Sequence, residues 1–267
     1  MAGNDVIGVL VCGAAGRMGS EVVRAVAQES DLRLVAAVDT GRVGEDIGAV
    51  AGIGPLNLPV SGDLVAAIAA TRPKVMVDFT VPASVMRNLR IALETKVACV
   101  VGTTGLTPAN LAELQVLSAQ NLTPVFIAPN FALGAVLMME FAARAAKYFT
   151  RAEIIELHHD KKLDAPSGTA LLTAQKMLAA EGCALQPETI VGEQAPRGQL
   201  FDGKLRVHSV RLPGLVAHQE VIFGGVGQTL TLRHDSLNRE SFMPGVILAI
   251  RKVLALKGLT IGLENLL

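Results

Sequence analysis

From Val6 the chain reads Val-Ile-Gly-Val-Leu-Val-Cys, a short and almost continuous apolar run that ends on Gly13. Such a run reads as a strand buried on both faces. A helical pattern follows over residues 16–30, and a second apolar run, residues 32–38, closes on Asp39. Strand, helix and strand in so short a span make a βαβ unit. The theme recurs at residues 74–80 and 97–101, with a helical stretch over 83–95 between them. Thr107-Pro108 pairs an N-cap with proline at the first helical position, and the helix it opens leads to the apolar run 124–128. Strands alternating with helices predict a parallel, doubly wound sheet with right-handed crossovers.

After Asn130 the texture changes. An Ala- and Met-rich helix is predicted over 135–149, a strand over 151–158 and a helix over 168–180. Three segments between Lys204 and Asp235, LRVHSVRL, VAHQEVIF and QTLTLRH, alternate with period two and are separated by Pro213-Gly214 and Gly224-Gly225. They predict an antiparallel meander with one wet face. A last helix is predicted over 240–256. The fold class is therefore α/β: a Rossmann-type doubly wound parallel sheet in residues 1–129, then an α+β domain with a mixed or antiparallel sheet in 130–238. The final segment, 239–267, is expected to pack back on the first domain.

Composition removes several classes of function. The 267 residues carry 24 Lys+Arg against 24 Asp+Glu, whereas proteins that track phosphate backbones hold a basic surplus. With 51% hydrophobic and 18% charged residues the chain has ample material for a core and is not a disordered one. Aromatics are 3%, with no Trp, so stacking platforms for single-stranded nucleic acid are not expected. The best apolar stretch, residues 131–139, stops at Glu140, short of a membrane span. The first five residues offer an acid where a secretory signal wants a base. Cys12, Cys99 and Cys183 are widely spaced, which fits buried thiols in a reducing cytoplasm and neither disulfides nor a zinc site.

Two constellations carry chemistry. Gly13-Ala14-Ala15-Gly16-Arg17-Met18-Gly19 sits between the first strand and helix, where backbone N–H groups and a helix dipole can meet a pyrophosphate. The glycines fall as G-x-x-G-x-x-G, with Ala15 at the usual middle glycine, and the same residues also suit a tight βα turn without ligand. Asp39 ends the second strand, where an acid accepts hydrogen bonds from the adenosine ribose of NAD, or simply caps a solvated turn. Its carboxylate and the neutral Thr40 after it favour NADH over NADPH, with Arg42 the nearest cation. The turns Asp78-Phe79-Thr80 and Gly102-Thr103-Thr104-Gly105 end two further strands at the same edge. They line a nicotinamide or are ordinary βα turns.

The second constellation is Glu156-Leu-His-His-Asp-Lys-Lys-Leu-Asp-Ala-Pro-Ser-Gly-Thr169. His158 and His159 point to opposite faces while the chain is extended. Histidine supplies a proton donor near neutral pH, and Lys162 a positive charge. Ser167, Gly168 and Thr169 at a helix start present donors to a carboxylate. A small acidic substrate that must be protonated suits this segment. Equally, the run is a solvated loop and Ser167 a helix cap. Adjacent histidines chelate one ion poorly, so no metal is expected.

These motifs, with Val-Asp-Phe-Thr at 77–80 and Ala-Pro-Asn-Phe-Ala-Leu-Gly at 128–134, closely resemble the 4-hydroxy-tetrahydrodipicolinate reductases of bacterial lysine biosynthesis, collinearly over the whole chain. The resemblance implies a dinucleotide-binding domain, a substrate-binding and tetramerisation domain, and a cytoplasmic homotetramer. It implies that NADH or NADPH delivers hydride to a cyclic dicarboxylate that has lost water, while an enzymic acid protonates the adjacent carbon. His158 resembles that acid and Lys162 a second catalytic cation; His159, Ser167, Gly168 and Thr169 resemble substrate ligands. The cofactor would touch Gly13, Ala14, Ala15, Gly16, Arg17, Met18, Asp39, Gly102, Thr103, Thr104, Ala128, Pro129, Asn130 and Phe131. Some members carry Arg after the acid, where this chain has Thr40. The rivals are a dehydrogenase of the semialdehyde or homoserine type, and a nucleotide-sensing regulator without turnover.

Overall fold

The computed structural model describes residues 6–188 and 197–267; the N-terminal acid read against a signal sequence lies outside them. Two compact units emerge, one running to Phe131 and resuming over Phe242–Leu267, the other spanning Ala132–Ser241.

The first unit begins β1 (Ile7–Cys12), α1 (Arg17–Gln28), β2 (Leu32–Val38), α2 (Ile47–Ala51), β3 (Val60–Ser61) and α3 (Leu64–Thr71). It continues β4 (Val75–Asp78), α4 (Pro82–Glu94), β5 (Ala98–Val101), α5 (Pro108–Asn121) and β6 (Val125–Ile127). Every residue of β4 and β5 is buried, as strands covered by helices on both faces must be. Leu10, Met76, Cys99 and Val125 from the sheet meet Leu89 and Leu114 from α4 and α5 in one apolar cluster. Thr107 caps α5 through a reciprocal pair with Asn110, just before Pro108. The strand order departs from β1 in both directions, to β2 and β3 on one side and to β4, β5 and β6 on the other. Ligands of open α/β sheets gather at such a reversal. The pairing there is flush: Cys12 lies opposite both Val38 and Asp78, and Asp78 opposite Val101.

The second unit runs α6 (Leu133–Ala145), β7 (Arg151–His158), α7 (Gly168–Ala179), β8 (Gln199–Phe201), β9 (Leu205–Arg211), β10 (Ala217–Gly225) and β11 (Gln228–Ser236). Its sheet has the order β11-β10-β7-β9-β8. One face packs on α6 and α7 through Ile154, Val207, Val221, Phe223, Met138 and Met177. The expected meander is corrected here. β10 and β11 form an antiparallel hairpin, but β7 separates β9 from β10 and pairs with β9 in parallel. Period-two alternation assigns faces to strands and says nothing of neighbours. The Pro213-Gly214 connection crosses the end of β7, where the Leu212 N–H donates to the His158 carbonyl at 3.0 Å.

The chain then returns to the first unit. A 3-10 turn at Arg239–Phe242 precedes α8 (Met243–Val253), shorter than the predicted 240–256 because Pro244 starts the regular helix in its first turn. Arg251 on α8 binds Asp31 and Glu29 beside α1. β12 (Leu259–Ile261) pairs in parallel with β6 and completes a seven-stranded sheet. The α/β class with a doubly wound parallel sheet and a mixed second sheet is borne out.

Candidate active site

Because β1, β2, β4 and β5 stop together, Gly13, Asp39, Phe79 and Gly102 leave the sheet along one edge. Gly13 adopts φ +75°, and a Cβ on it would stand 2.6 Å from the Phe79 carbonyl oxygen. A Cβ on Gly19 would overlap the Gly13 carbonyl, so α1 can approach the turn only with glycine there. No side chain caps α1 at Gly16, and Gly16 and Arg17 are exposed, which leaves the positive end of the helix open. Ala14 is buried, Ala15 and Met18 half-buried. The Asp39 carboxylate accepts from the Ala15 N–H at 3.0 Å and from the Gly41 N–H at 2.9 Å, clasping the glycine turn to the end of β2.

A cavity of about 540 Å³ opens beside this clasp, within the usual range for small-molecule sites. Gly13, Gly16, Asp39 and Thr40 line it together with Leu64 and Val65 of α3 and Ser84, Arg87, Asn88 and Ile91 of α4. A turn stripped of Cβ atoms, an uncapped helix start and a strand-end carboxylate beside such a volume fit a dinucleotide. Arg42, the cation nearest Asp39 in sequence, is engaged by Glu45 at 3.1 Å and does not line the cavity. Arg87 is the only cation among the described lining residues.

The second unit holds the other constellation. Glu156 and His158 lie two residues apart on β7, so both side chains take the same side of the strand. His158 Nδ1 is 2.5 Å from Glu156 Oε2. The Glu156 side chain has no exposed surface, and Arg211 on β9 grips it with Nη1 at 2.9 Å and Nη2 at 2.8 Å. The Ser167 N–H adds a donor at 3.2 Å. Burial alone would push this carboxyl up; hydrogen bonds from His158, Arg211 and Ser209 outweigh it and hold Glu156 down to about 2. Arg211 also donates to the Asp164 carbonyl at 2.6 Å. Asp164 in turn accepts from Lys162 Nζ at 2.6 and 2.8 Å, and that ammonium holds the Asp164 carboxyl below its ordinary value. Ser167 caps α7, its hydroxyl accepting from the Ala170 N–H, while Gly168 is exposed at the helix start.

Sequence comparisons match this layout. The family description "Dihydrodipicolinate reductase, N-terminus" covers residues 7–131, and "Dihydrodipicolinate reductase, C-terminus" covers 134–267. The chain belongs to the dihydrodipicolinate reductase family. The motif resemblance is thereby borne out. The 4-hydroxy-tetrahydrodipicolinate reductase of Moorella thermoacetica is 54% identical over 98% of both chains. That of Desulfitobacterium hafniense is 52% identical, again over 98% of both. A dipicolinate-bound dihydrodipicolinate reductase from Paenisporosarcina sp. TG-14 superposes with a TM-score of 0.86 at 43% identity, covering 98% of this chain and 100% of that one.

Within this member of the family the remaining motif residues divide by burial. Thr104 and Pro129 are exposed and Asn130 half-buried, whereas Ala128 is buried and Phe131 packs its ring on Phe79 and Phe126. Thr103 is also turned inward: its hydroxyl donates to Asp78 Oδ1 at 2.7 Å. Asp78 itself has no exposure and binds Thr80 and Asn88 as well, so it pins the strand-end loops together and its side chain does not line the edge. His159 is exposed beyond the strand. His208 and His218 are engaged by Glu153 and Asp235 on the other face of the sheet. Glu156 and Arg211 went unread in the sequence. The first carried a signal, its spacing of two from His158; the second became a neighbour only through the parallel β7–β9 pairing, which sets Arg211 opposite His158.

Proposed function

We propose that the chain reduces 4-hydroxy-tetrahydrodipicolinate to tetrahydrodipicolinate with loss of water, in the diaminopimelate route to lysine. The observation that carries this is full-length likeness, at half identity, to reductases of that name. NADH or NADPH supplies the hydride when bound. The turn from Gly13 to Met18 and the start of α1 hold its pyrophosphate, Asp39 its ribose, and the loops at 102–104 and 128–131 its nicotinamide end. NADH is favoured, because Asp39 repels a 2′-phosphate, Thr40 offers no charge and Arg42 is taken by Glu45.

The second unit does the acid chemistry. His158 gives its proton to the carbon beside the reduced one and draws a new proton from water. Lys162 exchanges Asp164 for a substrate carboxylate, and Ser167, Gly168, Thr169 and His159 take the cyclic dicarboxylate at the positive end of α7. The dipicolinate in the Paenisporosarcina relative is a ligand of the same class. On the sheet face away from α6 and α7, Ile155, Leu157, Val210 and Ile222 are half-buried in the single chain, which supports a homotetramer joined through these faces. No helix of the described residues is long and apolar enough to cross a membrane, in keeping with a cytoplasmic enzyme.

Neither rival is favoured. A thiol-dependent dehydrogenase needs an activated cysteine, and burial pushes the Cys12 and Cys99 thiols up. A silent nucleotide sensor has no use for the assembly around His158. The test is to generate the substrate in situ and follow NADH and NADPH loss separately. Oxidation of either, reduced by one to several orders of magnitude in His158→Gln and Lys162→Ala, is expected. No oxidation of either cofactor by the wild-type chain would refute the assignment.

A further inference from the structure

We propose that Glu156, clamped by Arg211, is a positioning residue that fixes the proton of neutral His158 on Nδ1 and thereby reserves Nε2 for proton transfer to substrate. The inference rests on the reading of His158 as the acid. Its grounds lie in the hydrogen-bond inventory of one carboxylate. An ionised carboxyl group only accepts, at about four lone-pair sites. Here those sites face donors from three elements: Arg211 Nη1 and Nη2 and the Ser209 hydroxyl from β9, the Ser167 N–H from the start of α7, and His158 Nδ1 from its own strand. A protonated Glu156 would have to turn an O–H toward one of them, and neither guanidinium nor backbone N–H can accept. His158 Nδ1 and the Ser209 hydroxyl alone could do either, and burial beside a bidentate guanidinium keeps the carboxyl ionised, so that both donate to it. Nδ1 must therefore donate, whether the ring is neutral or charged. After the acid step the ring keeps that proton and only the Nε2 proton has left. Arg211 has a further part in this: its Nη2 also donates to the Asp164 carbonyl and so ties the clamp to the loop that carries Lys162.

The experiment uses the full-length chain with ¹⁵N-labelled histidine. Two-bond ¹H–¹⁵N spectra, recorded where the rings are neutral, report which nitrogen of each is protonated, and His158→Gln assigns the signal. The wild-type ring should carry its proton on Nδ1, against the Nε2 form that an unconstrained ring prefers. Glu156→Gln, whose amide can donate as well as accept, should restore Nε2 protonation. Turnover should fall on the order of 100-fold, with KM and NADH affinity nearly unchanged, as expected when the wrong tautomer faces substrate. Arg211→Lys, which keeps the charge but loses the fork, should give an intermediate mixture. Wild-type His158 protonated on Nε2 overturns the proposal even if no variant folds. So does a Glu156→Gln enzyme that loses turnover while His158 keeps its Nδ1 proton, since Glu156 would then support only the fold. Full turnover in His158→Gln would instead refute the acid role while the tautomer result stood, so the two failures are separable.

Discussion

Replacing Arg211 by Met strips two charge-assisted hydrogen bonds from a carboxylate with no exposed surface. Breaking a buried ion pair by removing one partner costs about 3–5 kcal/mol. Arg211 keeps 18% of its side chain exposed, and His158 and the Ser167 N–H still bind Glu156, which points to the lower end. The pH-dependent part has a ceiling, which Arg211 shares with His158 and Ser209. Glu156 is held at about 2 against an ordinary 4.5, and each unit of such a difference is worth about 1.4 kcal/mol, so its ionisation contributes about 3 kcal/mol at neutral pH. Because the folded value is the lower one, this stability is complete above pH 4.5 and is lost as pH falls toward 2. At pH 3 roughly half remains. The gap between wild type and Arg211→Met should be about 3 kcal/mol at pH 7 and smaller at pH 3, where less of this stability remains. Two units need not unfold together, so hydrogen exchange of the peptide spanning 151–158 is the appropriate assay, run at several denaturant concentrations. A gap below about 1 kcal/mol at pH 7, or one that stays constant down to pH 3, would show that Arg211 does not hold this carboxylate.

Other outcomes follow from the first unit. Gly19→Ala drives a methyl into the Gly13 carbonyl, so thermal melting should fall by an overpacking penalty of about 1–3 kcal/mol and NADH titration should weaken with it; an unchanged binding curve would mean α1 does not need its close approach. Asp39→Ser should weaken NADH about 10- to 100-fold by calorimetry and NADPH by less, the size of a lost charge-assisted hydrogen bond. Arg87→Ala should weaken NADH and NADPH alike in titrations; a loss confined to NADPH would place its guanidinium on the 2′-phosphate and refute the preference for NADH. Under native conditions a maleimide should label Cys183, which is half-buried, and spare Cys12 and Cys99 until the chain unfolds, as mass spectrometry of digests would reveal.

How far each feature was legible follows from the range of the interaction that makes it. The run from Ile7 to Asp39 is a local unit: its burial pattern, its turn glycines and its acid all lie on one stretch of chain, and β1, α1 and β2 appear where the residues place them. The same holds for the Ser167 cap and the Thr107 capping box, which span only four residues each. Asp78 shows where local reading stops. Its turn reads equally as lining for a nicotinamide or as a plain βα turn, and only Asn88 from the following helix and Thr103 from beyond the next strand draw the carboxylate inward. β9 fails for the same reason, since its alternation was right and its neighbour was not. That error is consequential for the chemistry, because the strand wrongly assigned to a meander is the one that delivers Arg211 to Glu156. The acid was written locally, in His158 and the residue two before it. Its charge control came with the topology: only the parallel pairing of β7 with β9 sets Arg211 opposite His158, and from there its guanidinium reaches the buried Glu156 and keeps it ionised.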